Sequence, residues 1–94
     1  MTDVRLRALG DAAVLAELGS SIDVATVAKV WSYAAELRRS MWRGVLDVVP
    51  AYASVLVRYD PLTIDLARVL AWLRGCAERS DRTREAAARR RITI

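Results

Sequence analysis

Between Val4 and Leu9 the chain alternates, with Val4, Leu6 and Ala8 on one side and Arg5 and Arg7 on the other. That pattern predicts a half-buried strand. Gly10-Asp11 is a turn signal, and Ala13 to Leu18 resumes extended character, so the two runs predict a hairpin. Gly19-Ser20-Ser21 breaks the pattern, and Asp23 stands where a helix N-cap is wanted. From Val24 to Ser40 the apolar residues fall at Val27, Val30, Trp31, Ala34, Leu37 and, just beyond, Met41. These steps of three and four predict a helix, and Gly44 predicts the loop after it.

Val45 to Val49 and Ser54 to Tyr59 are β-branched and apolar, which predicts two more strands. In the second, Val55, Val57 and Tyr59 share one face, and Ser54, Leu56 and Arg58 share the other. Pro50 has no N–H for a ladder, so it is expected at a strand end, an edge or a bulge. Asp60-Pro61 stops the strand, because Pro61 biases Asp60 away from helix. Thr63 or Asp65 can cap a second helix whose stripe is Leu66, Leu70, Leu73 and Ala77, widened by Val69 and Trp72. Gly75 costs about 1 kcal/mol relative to alanine, so fraying is expected from there. Residues 79–91 read as an Arg-rich linker or a helical extension. Arg91-Ile92-Thr93-Ile94 reads as the start of another strand.

The order β-β-α-β-β-α, with a final strand expected, predicts an α+β fold. The expected form is a ferredoxin-like antiparallel sheet with both helices packed on one face. The expected organisation is an N-terminal α+β domain over 1–78, a linker or helical extension over 79–91, and the first residues of a further domain at 92–94.

Length and charge narrow the function classes. The chain has 94 residues and a net charge of +4. Residues 79–94 hold six arginines against two acids, so residues 1–78, with nine basic and nine acidic residues, are neutral. The basic excess sits in one segment without aromatic residues, which argues against dedicated nucleic-acid binding. Histidine is absent, which removes the commonest general base and most zinc sites. Cys76 is the one cysteine, so it is expected as a small packing residue and no internal disulfide can form. No stretch approaches the ~20 apolar residues of a membrane span, and the N-terminal residues lack the apolar core of a signal peptide. No membrane association and a cytoplasmic location are the default expectation.

Several groups admit both a structural and a functional interpretation. Gly10-Asp11 is a tight turn needing positive φ, or a surface loop offered to a partner. Pro50, Tyr52 and Ser54 belong to a hairpin with a packed tyrosine ring, or to a surface lining a ligand cleft. Asp60 and Asp65 suggest acid/base work, but stopping a strand and capping a helix accounts for them. Trp31 and Trp72 lie on or beside the stripes and are expected in the core. Trp42 and Arg43 follow the first helix, and a Met-Trp-Arg group suits a protein-contact patch. No set of residues assembles a catalytic, metal or cofactor site.

Three blocks taken together carry a resemblance: RLRALGDAAVLAELG (5–19), SSIDVATVAKV (20–30) and GVLDVVPAYASVLVRYDP (44–61). They resemble the family containing the B component of 5-oxoprolinase, allophanate hydrolase subunit 1 and the Kip-type inhibitor of a sporulation histidine kinase. Arg7, Gly10, Asp11, Ala13, Gly19, Ile22, Asp23, Gly44, Val49, Pro50, Tyr52, Ser54, Val57, Tyr59, Asp60 and Pro61 fit the family pattern. Asp47 stands where glutamate is usual, and Ala12 where serine is common. The likeness covers roughly residues 4–75 and corresponds to the family's N-terminal domain.

The resemblance implies a second, cyclophilin-like β-barrel domain, which the strand expected at 91–94 would open. It implies a non-catalytic domain of one subunit in an ATP-dependent 5-oxoprolinase-like complex that opens 5-oxoproline to glutamate. ATP belongs to the parent complex, and no cofactor is implied for this chain. The implied partners are the chain's own C-terminal cyclophilin-like domain and a second hydrolase subunit. The alternative is a regulator that binds a histidine kinase and blocks its autophosphorylation, and a third is allophanate hydrolysis.

Overall fold

The computed structural model describes residues 4–19 and 24–92. The elements are β1 (Arg5–Ala8), β2 (Ala13–Glu17), α1 (Val24–Arg39), β3 (Val45–Pro50), β4 (Ser54–Tyr59) and α2 (Leu66–Ile92). The four strands form one antiparallel sheet in the order β1-β2-β4-β3. Because β2 and β3 are each antiparallel to β4, they run parallel to one another with β4 between them. The path β2-α1-β3 is therefore a split βαβ unit, the hallmark of ferredoxin-like sheets. The fold is α+β, as the hydrophobic pattern predicts.

Strand alternation decides which residues enter the core. Val14 and Ala16 of β2, Val55, Val57 and Tyr59 of β4, and Val45 and Val48 of β3 point one way and are buried. They meet Val30, Tyr33, Ala34 and Leu37 of α1 and Val69, Trp72, Leu73, Cys76 and Ala77 of α2 in one cluster. Each fully buried Val or Leu contributes about 1.5–3 kcal/mol of transfer free energy. The other sheet face carries cross-strand ion pairs, Arg7 with Glu17 at 3.7 Å and Arg58 with Asp47 at 2.6 Å. Asp47, the departure from the family's glutamate, thus has a partner directly opposite it.

The helix stripes differ from expectation at particular residues. Trp31 is 59% exposed rather than core, and Met41 is also exposed. The buried side of α1 is rotated toward Thr26, Tyr33 and Glu36, three polar-capable residues that an apolar stripe does not count. In α2 the buried line is Val69, Trp72, Leu73, Cys76, Ala77 and Ser80, while Leu66 is exposed. Ala8 is exposed as well, so only Val4 and Leu6 pack on the core from the β1 end.

α2 does not fray at Gly75. It runs unbroken through residues 79–91 to Ile92, because Ala, Arg and Glu are strong helix formers. Arg91 and Ile92 are helical rather than the opening of a strand, and Thr93 and Ile94 lie outside the described residues, as does the expected cap Asp23.

The junctions follow the local chemistry. Asp65 caps α2, its Oδ1 accepting the Arg68 N–H at 2.9 Å. Asp60 closes the preceding turn by accepting the Leu62 N–H at 3.0 Å and the Thr63 hydroxyl at 2.9 Å. Both carboxylates are therefore structural. Pro50 is the last residue of an edge strand, where a missing N–H costs nothing. Gly44 has φ 102°, and a Cβ there would stand 2.7 Å from Ile64 Cγ2. No described helix is long and apolar enough to cross a membrane.

Candidate protein-contact site

The register separates the residues singled out from sequence into two groups. Val45 pairs with Tyr59 and Ala13 with Arg58, so the β1–β2 turn, residues 41–46 and the turn after β4 share one end of the sheet. Ser54 pairs with Glu17 and Pro50 with Val55 at the other end. Ser54 and Tyr59 are the two ends of the six-residue β4, roughly 17 Å of strand apart. Gly10, Asp11, Trp42 and Arg43 are at the first end; Pro50, Tyr52 and Ser54 are at the second. The two groups do not form one cleft.

The first end is fixed by backbone bonds. The Leu9 N–H donates to the Ala13 carbonyl at 2.8 Å, and Gly10 takes φ 67° in the turn between them. The Tyr59 N–H donates to Ala12 at 2.9 Å, tying that turn to β4. Val45 N–H reaches the Trp42 carbonyl at 3.1 Å, and Asp60 N–H reaches the Gly44 carbonyl at 2.7 Å. On this frame stand exposed apolar side chains: Leu9, Met41, Trp42 at 45%, Leu46 at 55% and Leu62 at 95%. Val24, Trp31, Val49 and Tyr52 are exposed elsewhere, so this end holds a share of the exposed apolar side chains rather than all of them.

Trp42 and Arg43, expected as a contact patch, are exposed here, and Leu46 and Leu62 beside them in the fold were not singled out. A register shift between Val45 and Asp47 leaves Leu46 as the extra residue of a bulge, turned out of the sheet. Nothing in an apolar run announces a bulge. Leu62 follows Asp60-Pro61, and an apolar residue in a polar turn was the available signal.

At the second end, Tyr52 is 72% exposed, so its ring is not packed as a simple hairpin predicts. The Ala51 N–H donates to Ser54 at 2.8 Å, and the Leu18 N–H to Ala53 at 2.8 Å. These bonds close the loop and leave Tyr52 displayed.

A charged cluster lies apart from both ends, on α1 and α2. The Glu36 carboxylate is buried and accepts from Arg39 on its own helix and from Arg79 Nε at 3.0 Å. Burial alone would raise the Glu36 carboxyl, but the hydrogen bonds from Arg79 and Arg39, with their charges, hold it below the usual carboxylate range. The bond to Glu36 also raises the Arg79 guanidinium. Arg79 Nη2 reaches Cys76 Sγ at 3.0 Å, and that sulfur lies 3.3 Å from the Ser40 hydroxyl. Among the described residues, no group of three or more His, Cys, Asp or Glu could hold a metal ion.

The sheet order and the helix between β2 and β3 define a small split-βαβ domain with exposed apolar side chains at one end. The family described as "Carboxyltransferase domain, subdomain C and D" matches residues 4–94, and the chain belongs to it. Among solved structures, the conserved protein PH0987 from Pyrococcus horikoshii is similar at 28% identity and TM-score 0.81, over 87% of this chain and 38% of that one. The Kluyveromyces lactis urea carboxylase shares the fold at 22% identity and TM-score 0.76, over 83% of this chain and 7% of that one. The N-terminal domain of the histidine kinase inhibitor KipI from Bacillus subtilis shares it at 23% identity and TM-score 0.58, over 92% of this chain and 87% of that one. The chain thus spans well under half the length of PH0987 and of the urea carboxylase. The comparison with curated proteins gives no match.

Proposed function

We propose that this chain is a non-catalytic contact domain of one subunit in an ATP-dependent amidohydrolase complex of the 5-oxoprolinase type. The observation that carries the proposal is the apolar end formed by Trp42, Leu46 and Leu62, with Arg43 among them. Aromatic and Arg side chains set in exposed apolar surface suit a partner protein better than a small substrate. In this account the lactam is opened elsewhere in the complex. A C-terminal cyclophilin-like domain and a second hydrolase subunit complete the site, and ATP is consumed by the assembly. A further domain beyond residue 91 belongs to the same proposal, as does a cytoplasmic location; the expected boundary at 78 falls inside α2, where Arg79 and Ser80 pack with the domain.

The second reading is inhibition of a sensor histidine kinase. It is prompted by the fold shared with the N-terminal domain of the histidine kinase inhibitor KipI. One experiment separates the two. The domain joined to its natural continuation is used as bait in lysate of the source organism, with the 94-residue chain in parallel. Recovery of a hydrolase subunit, with ATP- and 5-oxoproline-dependent glutamate release, supports the first. Recovery of a histidine kinase without a hydrolase overturns it in favour of the second.

A further inference from the structure

Glu36 and Arg39 of α1 face Arg79, Arg82, Thr83 and Ala86 of α2 across a groove of about 460 Å³. The groove is shallow and open to solvent, which suits a small charged group better than an apolar ligand. The α2 residues follow one another at three- and four-residue steps, so they present a single face.

The charge balance is specific. Three guanidiniums stand against one carboxylate, leaving two net positive charges. Both Glu36 oxygens are occupied, Oε1 by Arg39 and Oε2 by Arg79, so the carboxylate anchors the arginines rather than attracting a cation. Arg79 is held on two sides, by Glu36 through Nε and by Cys76 through Nη2. Arg82 makes no ion pair among the described residues. The Thr83 hydroxyl donates back to the Arg79 carbonyl at 3.0 Å, and Ala86 has no side chain long enough to fill the groove.

We infer that this groove is an anion site for a compact dianion, a phosphoryl group or a dicarboxylate, bound by Arg39, Arg79 and Arg82. Arg39 and Arg79, already oriented by the buried Glu36 carboxylate, lose little freedom on gripping an oxyanion, and Arg82 adds a guanidinium without an ion-pair partner among the described residues. Two net positive charges match a doubly charged group. The site lies on the helices, distinct from the apolar end, and stands whether or not that end binds a hydrolase subunit.

The test is an NMR titration of the 94-residue chain with sodium phosphate and, separately, sodium succinate, against sodium chloride at matched ionic strength. The expected result is saturable shifts at Arg39, Arg79 and Arg82 with either dianion beyond those in chloride. The tighter of the two identifies the source of the charge. Arg82→Gln, at an exposed position, is expected to keep the fold and weaken binding about five-fold. Arg74→Gln, exposed on α2 outside the groove, is expected to leave binding unchanged. Shifts that merely track ionic strength, or an Arg82→Gln titration identical to wild type, overturn the inference.

Discussion

Glu36 and Arg79 are 43 residues apart in the chain and 3.0 Å apart in space. Their contact ties α1 to α2 through a carboxylate that is almost wholly buried, although Arg79 itself is about half exposed at 46%. A buried carboxylate with two guanidinium partners is stable only as a set.

Glu36→Gln removes the charge and leaves two arginines unpaired. Because both arginines reach solvent, the expected loss is about 1–2 kcal/mol, below that of a fully buried pair. Urea unfolding at neutral pH measures it. The acid limb provides a second readout. The folded carboxyl is held low, so the unfolded chain takes up the proton first, near the ordinary glutamate value of about 4.3. Stability from this group is complete above that value and is lost as pH falls through the folded one. Glu36→Gln is expected to be less sensitive over that interval.

Tyr33 gives the opposite sign. Its hydroxyl donates to the Leu73 carbonyl at 2.7 Å, and burial, then the neighbouring Cys76, pushes the phenol up. Above about pH 10 the unfolded chain ionises while the folded one stays neutral, so stability falls as pH rises. Tyr33→Phe is expected to cost about 1 kcal/mol at pH 7 and to flatten the alkaline decline. Denaturant titrations at pH 7 and above 10 check both.

Two glycines should respond oppositely to alanine. Gly44→Ala meets positive φ and the Ile64 side chain, and is expected to destabilise by more than about 1 kcal/mol. Gly75→Ala sits in a helix with only Arg79 Nη1 nearby, at 3.6 Å, and is expected to stabilise by about 0.5–1 kcal/mol. Thermal melts of the two variants decide the signs.

The tryptophans are ordered by exposure. Trp72 is 4% exposed and donates from Nε1 to the Ser40 carbonyl at 3.0 Å, whereas Trp31 and Trp42 face solvent. Acrylamide is expected to quench most of the fluorescence of the wild type. In a Trp31→Phe, Trp42→Phe double variant the remaining emission should be blue-shifted and resistant to quenching.

The strands were legible because β-branched runs, Gly10-Asp11, Pro50 and Asp60-Pro61 each carry their own backbone chemistry. The placement of α1 was less legible. Its apolar stripe includes Trp31, yet the core takes Tyr33 and Glu36, whose polar atoms are satisfied by Leu73 and Arg79 from the far end of the chain. No local pattern contains those partners. The helix beyond Gly75 was obscured by polar composition, although its residues are good helix formers. Of the candidate contact site, Trp42 and Arg43 stood out as residue types, while Leu46 depended on a bulge visible only in the register.

The central claim is that the Trp42 end carries protein contact, and substitution of two exposed residues tests it most directly. Leu46 and Leu62 contribute little to the core, so Leu46→Asp with Leu62→Asp should leave the thermal melt nearly unchanged. The measurement is how much hydrolase partner this variant and wild type each capture, both joined to the natural C-terminal continuation. The account predicts that wild type retains the partner and the variant does not. Equal capture by both would contradict it.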